Sequence, residues 1–218
     1  MSKVKTKICG ITNAADARRA VAAGADFVGF NFYEKSPRYI RPAAAGRIGR
    51  GLPKRVKKVG VFVNEAEEKV LAIAREAGLD FVQLHGDESP AFVARVKRAA
   101  RVIKAVRVRP GFRAAELGKF RGAAAILLDG FDPARYGGTG KTFDWGVAKR
   151  AAAGRRIFLA GGLTPENIGA AIEAARPFAV DVCSGVESRP GKKSAARMKA
   201  LKEAVEGARK IGRGRGRR

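Results

Sequence analysis

The chain has 218 residues, 46% of them hydrophobic, which is enough to bury one large core and points to a single α/β domain. It shows neither an apolar run long enough to span a membrane nor a signal-peptide pattern, so we expect a cytoplasmic protein. The formal net charge of +25 suggests anionic partners, yet the chain has no zinc-ligand spacing and no aromatic-rich RNA-binding strand, which disfavours a nucleic-acid function.

The two cysteines, Cys9 and Cys183, lie too far apart in sequence for a local metal-binding spacing. A fold stapled by disulfides requires more cysteines than two. We therefore expect free thiols and no metal site.

Short apolar segments alternate regularly with amphipathic, alanine-rich segments along the chain. Sequences such as FVGFNF, VGVFV and AILL are apolar on both faces, which is typical of buried parallel strands. The predicted strands are Val4–Cys9, Asp26–Phe32, Lys58–Val63, Phe81–His85, Val102–Arg107, Ala124–Asp129, Arg156–Ala160 and Ala179–Cys183. The predicted helices are Asn13–Ala23, Ala43–Gly51, Glu65–Ala77, Ser89–Ala99, Arg113–Lys119, Asp144–Ala152, Pro165–Ala174 and Ser194–Lys210.

The same segments carry signals for how the helices begin. Thr12 precedes the first helix, and Thr164 followed by Pro165 precedes the seventh, as helix N-termini prefer. We therefore predict that these threonines cap the two helices.

Eight strand-then-helix units in one domain predict a closed (β/α)8 TIM barrel over residues 1–210 rather than an open doubly wound sheet. A dinucleotide-binding sheet would show G-x-G-x-x-G after the first strand, whereas CGITNA offers one glycine. The basic residues 211–218 are predicted to form a disordered tail outside the barrel.

Active sites in this fold lie at the C-terminal ends of the strands and in the loops that follow them. The residues at these predicted ends are therefore the candidate site residues. They are Cys9, Asn31, Asn64, His85, Arg107, Asp129, the pair Gly161 and Gly162, and Ser184.

Two glycine-containing segments, LAGGLTPENI and DVCSGVES, follow the seventh and eighth strands. In barrels these positions commonly bind phosphate, because glycine lets backbone N–H groups approach the anion and a helix N-terminus favours its charge. We predict a phosphate cradle here, with tight turns of no further function as the alternative. Its residues would be Gly161, Gly162, Ser184 and Gly185.

The segment GGTGKT resembles part of a nucleotide-binding P-loop, but Arg135 stands where the first glycine is required and Asp129 ends the preceding strand too far upstream. We interpret it instead as a long loop that either closes over the site or merely connects two elements. The lid residues would be Gly137, Gly138, Thr139 and Gly140.

Four side chains near the predicted mouth carry chemistry of their own. Asp129 ends a wholly apolar strand, which favours a catalytic carboxylate. Cys9 is either a small packed side chain or a reactive thiol, and His85 is the one histidine, so a Cys–His nucleophile is conceivable but lacks a third, orienting group. Arg38 in SPRY either clamps a carboxylate or lies at the surface.

Taken together and in order, eight segments resemble those of the phosphoribosylanthranilate isomerase family of tryptophan biosynthesis. They are KICGIT, GADFVGFNFYEKSPRYI, VGVFVN, VQLHGDE, LLDG, GGTGKTFDW, LAGGLTPENI and DVCSGVESRPGKK, and they span nearly the whole chain. The resemblance implies a barrel that converts N-(5′-phosphoribosyl)anthranilate into 1-(2-carboxyphenylamino)-1-deoxyribulose 5-phosphate. This Amadori rearrangement is an aldose–ketose isomerisation and would need no metal or organic cofactor.

The resemblance also implies roles for individual residues. Cys9 would be the general base and Asp129 the general acid. Arg38 would contact the anthranilate carboxylate, His85 would lie nearby, and Asp181 would stand at the edge of the phosphate cradle. The glycine-rich loop at residues 137–140 would fold over the substrate.

Alternation along the first strand places Lys7 on the same face as Cys9, about 6.6 Å farther down the strand. A cation at that position would favour the thiolate over the thiol. We therefore hypothesise that Lys7 lowers the pKa of Cys9.

Two other functions remain open from the sequence alone. Another phosphosugar barrel, such as the histidine-pathway isomerase, performs the same rearrangement but normally carries Asp where Cys9 stands. A basic barrel that binds RNA through its charge would lose binding steeply with added salt. The expected partner is a small-molecule substrate, with no membrane or nucleic acid, in a monomer or a homodimer.

Overall fold

The computed structural model of the chain describes residues 3–130 and 143–214, the last four of these by their backbone alone. Within these residues, eight parallel strands follow one another around a closed barrel, and the last pairs with the first. The predicted (β/α)8 TIM barrel is confirmed.

The barrel strands, in chain order, overlap the eight predicted ones. They are β1 Lys5–Ile8, β2 Phe27–Asn31, β3 Lys57–Phe62, β4 Phe81–Leu84, β5 Val102–Val108, β6 Ala125–Gly130, β7 Ile157–Leu159 and β8 Ala179–Val182. The α-helices are α1 Ala14–Ala22, α2 Pro42–Arg50, α3 Glu67–Glu76, α4 Pro90–Val96, α5 Trp145–Ala151, α6 Ile168–Ala175 and α7 Ala195–Gly214.

The fifth predicted helix is wrong in type, because Ala114–Phe120 forms a 3-10 helix. Its first turn is fixed by Glu116, whose carboxylate accepts the backbone N–H of Arg113. The segment is short and contains Gly118, and short connectors of this kind adopt the tighter i to i+3 hydrogen bonding. Leu117 and Phe120 still bury the apolar face of the segment.

The predicted cap of the first helix is also wrong. Asn13, not Thr12, caps α1, because its side chain accepts the backbone N–H of Asp16 at 2.8 Å. The Thr12 hydroxyl instead donates to the carbonyl of Gly191 at 2.6 Å. The seventh predicted helix begins later than expected, since α6 has Asn167 at its N-cap position.

A short antiparallel hairpin follows the eighth strand and was not predicted. Its strands are β9 Glu187–Arg189 and β10 Lys192–Lys193, joined through Gly191, which has a left-handed backbone. The Pro-Gly pair in SRPGKK is a turn signal that could have located this hairpin. The hairpin brings Glu187 and Lys193 to the mouth of the barrel.

Side chains that point into the barrel change from apolar at its N-terminal end to polar at its C-terminal end. Phe27 packs edge-on against Phe81 and Phe158, with ring centroids 5.9 and 5.1 Å away, and closes the bottom of the barrel. Farther along β4, the same face carries Gln83 and then His85. Among the described residues, the packed floor therefore closes one end of the barrel and the polar side chains line the C-terminal mouth.

The end of the chain differs in one respect from the expected tail. Helix α7 continues to Gly214, past the predicted domain boundary at Lys210. Residues 215–218 lie outside the described residues, so a disordered tail stays a prediction. No helix of the described part is long and apolar enough to cross a membrane.

Candidate active site

A cavity of about 590 Å³ opens at the C-terminal ends of the barrel strands. Most of the predicted site residues line it: Cys9, Asn31, Arg38, His85, Asp129, Gly161, Gly162, Asp181 and Ser184. The predicted lid at Gly137, Gly138, Thr139 and Gly140 lies outside the described residues. Asn64, Arg107 and Gly185 are not among the described lining residues.

Asn64 and Arg107 hold the loop that follows β4 rather than lining the cavity. The Asn64 amide oxygen accepts the backbone N–H of Asp87 at 2.7 Å, and Arg107 donates to the Asp87 carboxylate at 2.7 Å. Both residues lie at or near strand ends, as predicted. Their side chains, however, hydrogen-bond to Asp87 and so fix the loop after β4.

Lys7 points into the barrel, as its position in the alternation predicts. Its Nζ donates to Asp181 Oδ2 at 2.7 Å, and both side chains are buried. Burial opposes the charge on Lys7, but the nearby carboxylate and the Cys9 sulfur outweigh it and raise the pKa of Lys7. Burial also raises the pKa of Asp181 to about 6, although Lys7 opposes that rise, so the pair is ionised at neutral pH.

The Cys9 thiol lies beside both Lys7 and Cys183. Its pKa lies well below the ordinary value, because the Cys183 thiol hydrogen-bonds to its sulfur and Lys7 adds positive charge, against the burial that raises it. The hydrogen bond with Cys9 and burial raise the pKa of Cys183. The two sulfurs therefore share one negative charge, which we place on Cys9.

Two glycines make room for the two sulfurs, one for each. A Cβ on Gly29 of β2 would lie 2.6 Å from Cys9 Sγ, closer than any side chain tolerates. Gly10 has a φ of +74°, and a Cβ there would lie 3.0 Å from Cys183 Sγ. The cysteine at the end of β1 is thus followed by a glycine for both conformational and steric reasons.

On the opposite side of the mouth, Asp129 is held by two donors. Its Oδ1 accepts the backbone N–H of Gly130 at 2.9 Å, and its Oδ2 lies 3.1 Å from His85 Nε2. Gln83 Nε2 lies 2.8 Å from the other ring nitrogen, and an amide nitrogen donates, so His85 Nδ1 accepts and Nε2 carries the ring proton. His85 thereby orients Asp129, whose side chain is 7% exposed and lines the cavity.

Two buried acceptors in the cavity wall have no protein partner among the described residues. They are Gln83 Oε1 and Asp181 Oδ1. A buried acceptor without a hydrogen bond is costly, so both are suited to receive hydroxyl groups of a bound sugar.

Arg38 is held rigidly at the rim by the unpredicted hairpin. Glu187 accepts from Arg38 Nε at 2.9 Å and from Nη2 at 2.7 Å, and Lys193 donates to the same carboxylate at 2.9 Å. Burial lowers the pKa of Arg38, but Glu187 outweighs it and keeps the guanidinium charged. The Nη1 side lies outside this two-pronged contact, so Arg38 can offer it to an anion in the cavity.

The loop after β7 has the backbone of an anion-binding turn. Gly161 and Gly162 have φ values of +84° and +60°, which other residues rarely adopt. Asn167, which we did not predict, fixes this loop by donating to the Gly162 carbonyl at 2.8 Å and accepting the Thr164 N–H at 2.9 Å. Helix α6 begins directly after Asn167, so its N-terminus adds a favourable dipole.

Gly185 supports the cradle by close packing rather than by lining it. A Cβ on Gly185 would lie 2.0 Å from the carbonyl oxygen of Leu163, which belongs to the backbone after β7. The loops after β7 and β8 can therefore approach each other only with glycine at this position.

Replacing Gly185 with alanine should separate these two loops. We expect a loss of stability of about 1–3 kcal/mol from overpacking, together with a raised KM for a phosphorylated substrate. Gly169→Ala in α6 is the matched control, because no atom lies within 4 Å of its added Cβ. Thermal unfolding and steady-state kinetics check both variants, and equal behaviour of the two would contradict the packing argument.

Comparisons with known proteins agree with this geometry. The family model described as N-(5′-phosphoribosyl)anthranilate (PRA) isomerase matches residues 6–204. The chain belongs to this family. An N-(5′-phosphoribosyl)anthranilate isomerase of Pelobacter propionicus is 52% identical over 196 residues, which cover 90% of this chain and 92% of that protein.

Solved structures of the phosphoribosylanthranilate isomerase family share the barrel. The isomerase from Thermus thermophilus superposes with a TM-score of 0.86 and 42% identity, covering 94% of this chain and 99% of the other. A phosphoribosyl anthranilate isomerase in complex with reduced 1-(o-carboxyphenylamino)-1-deoxyribulose 5-phosphate has a TM-score of 0.81 and 43% identity, with the same coverage.

Several residues around the family's site were missed from the sequence. Gln83 lies two residues before the predicted strand end at His85, and alternation along β4 would have placed both on one face. Glu187 and Lys193 follow the eighth strand within DVCSGVESRPGKK, and only the hairpin turns them toward Arg38. The contact of Cys183 with Cys9 depends on barrel closure.

Proposed function

We propose that the chain catalyses the Amadori rearrangement of N-(5′-phosphoribosyl)anthranilate to 1-(2-carboxyphenylamino)-1-deoxyribulose 5-phosphate, in tryptophan biosynthesis. The observation that carries the proposal is the arrangement of Cys9, Asp129 and the glycine loop at Gly161 and Gly162 around one cavity. An acid, a base and an anion site are the parts that this reaction requires.

Binding uses the two anionic ends of the substrate. The phosphate lies against the loop at Gly161 and Gly162 and the start of α6, with Ser184 beside it. The anthranilate carboxylate meets Arg38, which Glu187 holds in place. The ribose then spans the cavity between these ends, within reach of Gln83 and Asp181.

The first chemical step opens the furanose ring. Asp129 donates a proton to the ring oxygen, the bond from that oxygen to the anomeric carbon breaks, and the nitrogen lone pair forms an iminium. Gly130 and His85 hold the carboxyl in one orientation for this transfer. Asp129 acts here as the general acid.

The second step moves the C2′ proton. The Cys9 thiolate removes it, and the electrons flow into the iminium to give an enolamine that relaxes to the ketone product. The hydrogen bond from Cys183 and the positive charge of Lys7, buried beside the sulfur, lower the pKa of Cys9 and favour its charged form. Two protein groups thus carry both proton transfers, and we propose an intramolecular redox isomerisation without metal or organic cofactor.

Replacing Lys7 with methionine should raise the pKa of Cys9, since the sulfur loses its nearest cation. The acidic limb of the kcat/KM profile should then move to higher pH, because less thiolate is present at a given pH below the new pKa. The pKa of Cys9 can also be measured without turnover, from the pH dependence of the rate at which its thiol is alkylated.

Lys5→Met is the matched control for Lys7→Met. Lys5 lies on the same strand and pairs with Asp26 at 2.9 Å, but its side chain is 41% exposed and distant from the thiol. The Cys9 pKa should be unchanged in this variant. An unchanged Cys9 pKa in Lys7→Met as well would end the hypothesis.

The function itself is tested with purified protein and N-(5′-phosphoribosyl)anthranilate, by following the change in anthranilate fluorescence. We expect turnover with this substrate. The histidine-pathway aminoaldose phosphate, assayed in parallel, distinguishes the rival isomerase, because that enzyme would turn over the second substrate and not the first. Folded protein that converts neither would overturn the proposal.

A cytoplasmic location, a monomer or homodimer and the lack of a nucleic-acid function remain predictions. Binding of RNA that weakens steeply with salt, in protein without isomerase turnover, would favour the basic-barrel alternative.

A further inference from the structure

Cys183 transfers no proton in the proposed rearrangement, yet it lies directly beside the proposed base and hydrogen-bonds to its sulfur. Strands β1 and β8 are paired in register, with Lys7 opposite Asp181 and Ile8 opposite Val182. The ladder continues past the strand ends, since the Cys9 N–H donates to the Val182 carbonyl at 2.9 Å. Cys9 and Cys183 are therefore neighbours across the seam that closes the barrel.

The side chains of the two cysteines point to the same side of this seam. Lys7 and Asp181 form an ion pair of 2.7 Å inside the barrel, and each cysteine stands two residues farther along its strand. Side chains two residues apart share a face, so both sulfurs enter the same cavity, where both are lining residues. Neighbouring strands lie about 4.7–4.9 Å apart, a separation compatible with a disulfide between paired residues.

Cations surround both sulfurs. Lys7 lies beside Cys9, and Lys193 Nζ lies 3.8 Å from Cys183 Sγ while donating to the Cys183 carbonyl at 3.1 Å. Arg38 Cδ lies near the same spot, because both it and Cys183 Sγ are within 3.0 Å of where a Cβ on Gly10 would stand. Positive charge next to a partly exposed thiol is the setting in which cysteines react with oxidants.

We propose that Cys9 and Cys183 form a reversible thiol-oxidation site, in which peroxides oxidise Cys9 and Cys183 resolves the product as an intramolecular disulfide. The mouth of the cavity admits small hydroperoxides, since Cys183 is partly exposed and Cys9 is 8% exposed. Cys9, the proposed base, is thus also the residue that peroxide oxidises. Disulfide formation with Cys183 protects it from irreversible oxidation.

The chemistry balances in two steps. The Cys9 thiolate attacks one peroxide oxygen, so that a sulfur–oxygen bond forms, the oxygen–oxygen bond breaks, and water or an alcohol leaves after taking a proton. Cys183 then attacks the Cys9 sulfenic acid, so that the sulfur–sulfur bond forms and water departs with the Cys183 proton. The thiols lose two electrons to the peroxide, and a dithiol reductant restores them by exchange.

Oxidation of Cys9 should stop turnover, and this consequence rests on the proposed function. Formation of the disulfide does not, because it follows from the geometry of the two thiols. Mass and thiol measurements therefore test the site even if the protein has a different activity.

The experiment treats the reduced full-length protein with hydrogen peroxide and compares the wild type with Cys183→Ser. In the wild type we expect both thiols to be lost, the intact mass to fall by two hydrogen atoms, and a peptide pair linking Cys9 to Cys183. Dithiothreitol should restore both thiols and the starting activity.

In Cys183→Ser, the Cys9 sulfenic acid has no resolving thiol. Excess peroxide should therefore oxidise it further to the sulfinic and sulfonic acids, and the mass should rise by two or three oxygen atoms. Dithiothreitol reduces a sulfenic acid but not these acids, so it should recover little of the activity that the variant had before treatment. Circular dichroism confirms that the variant is folded.

Three results would overturn the proposal. They are a wild-type mass that rises by oxygen atoms without a linked peptide, a disulfide found only between two chains on a non-reducing gel, and equal recovery of the wild type and Cys183→Ser.

Discussion

Cys9→Ala should lower kcat by roughly 10²–10⁴-fold, the range that one positioned proton transfer contributes. The methyl side chain can neither accept the C2′ proton nor share the negative charge that Lys7 and Cys183 stabilise. Steady-state kinetics measure the loss.

Substrate binding should survive in this variant. The phosphate loop and Arg38 belong to other elements and do not require the sulfur, so KM should change far less than kcat. Wild-type turnover in Cys9→Ala would show that the base lies elsewhere.

Asp129→Asn should cause a loss of similar size, roughly 10²–10⁴-fold in kcat, because an amide cannot deliver the proton that opens the ring. Asparagine matches the size of the carboxylate and retains one oxygen for the Gly130 N–H. The change therefore removes the acid at constant size, and it also replaces the oxygen that accepts from His85 Nε2 with an amide nitrogen.

The matched control is Asp144→Asn. Asp144 is an exposed carboxylate that caps α5 by accepting the Gly146 N–H at 2.8 Å, and asparagine caps a helix equally well. Its kcat should equal that of the wild type. If Asp129→Asn behaved like Asp144→Asn, Asp129 would have no acid role.

The barrel was predictable because each strand had a local signature. Segments such as AILLDG are apolar on both faces, and this pattern is typical of parallel strands that are covered by helices. The count of eight units then selected the closed architecture. The type of the fifth helix was not predictable in this way, because a 3-10 turn and a short α-helix bury the same apolar positions.

The sequence predicted which residues lie at the mouth of the barrel, because they follow the strands, but not the contacts between them. Cys9, His85 and Asp129 each end a strand, so their meeting at one mouth follows from the topology. The contact between His85 and Asp129 joins residues 44 apart in the chain, and its geometry depends on barrel tilt and rotamers.

The register of the strands could not be predicted from the sequence. The pairing of Cys183 with Cys9 depends on how β8 aligns with β1, which the hydrophobic pattern does not fix at the level of single residues. Glu187 and Lys193 were missed because their hairpin lies between the last predicted strand and the last predicted helix, where no strand was predicted.

The seam between β1 and β8 has a consequence for synthesis of the protein on the ribosome. The first strand to emerge supplies Cys9 and Lys7, whereas the last supplies Asp181 and Cys183. Until β8 docks, the charge of Lys7 is not neutralised by Asp181. The loop after β7 also lacks the loop after β8, which completes the phosphate cradle. A chain in which β8 has not yet docked against β1 therefore lacks the assembled site.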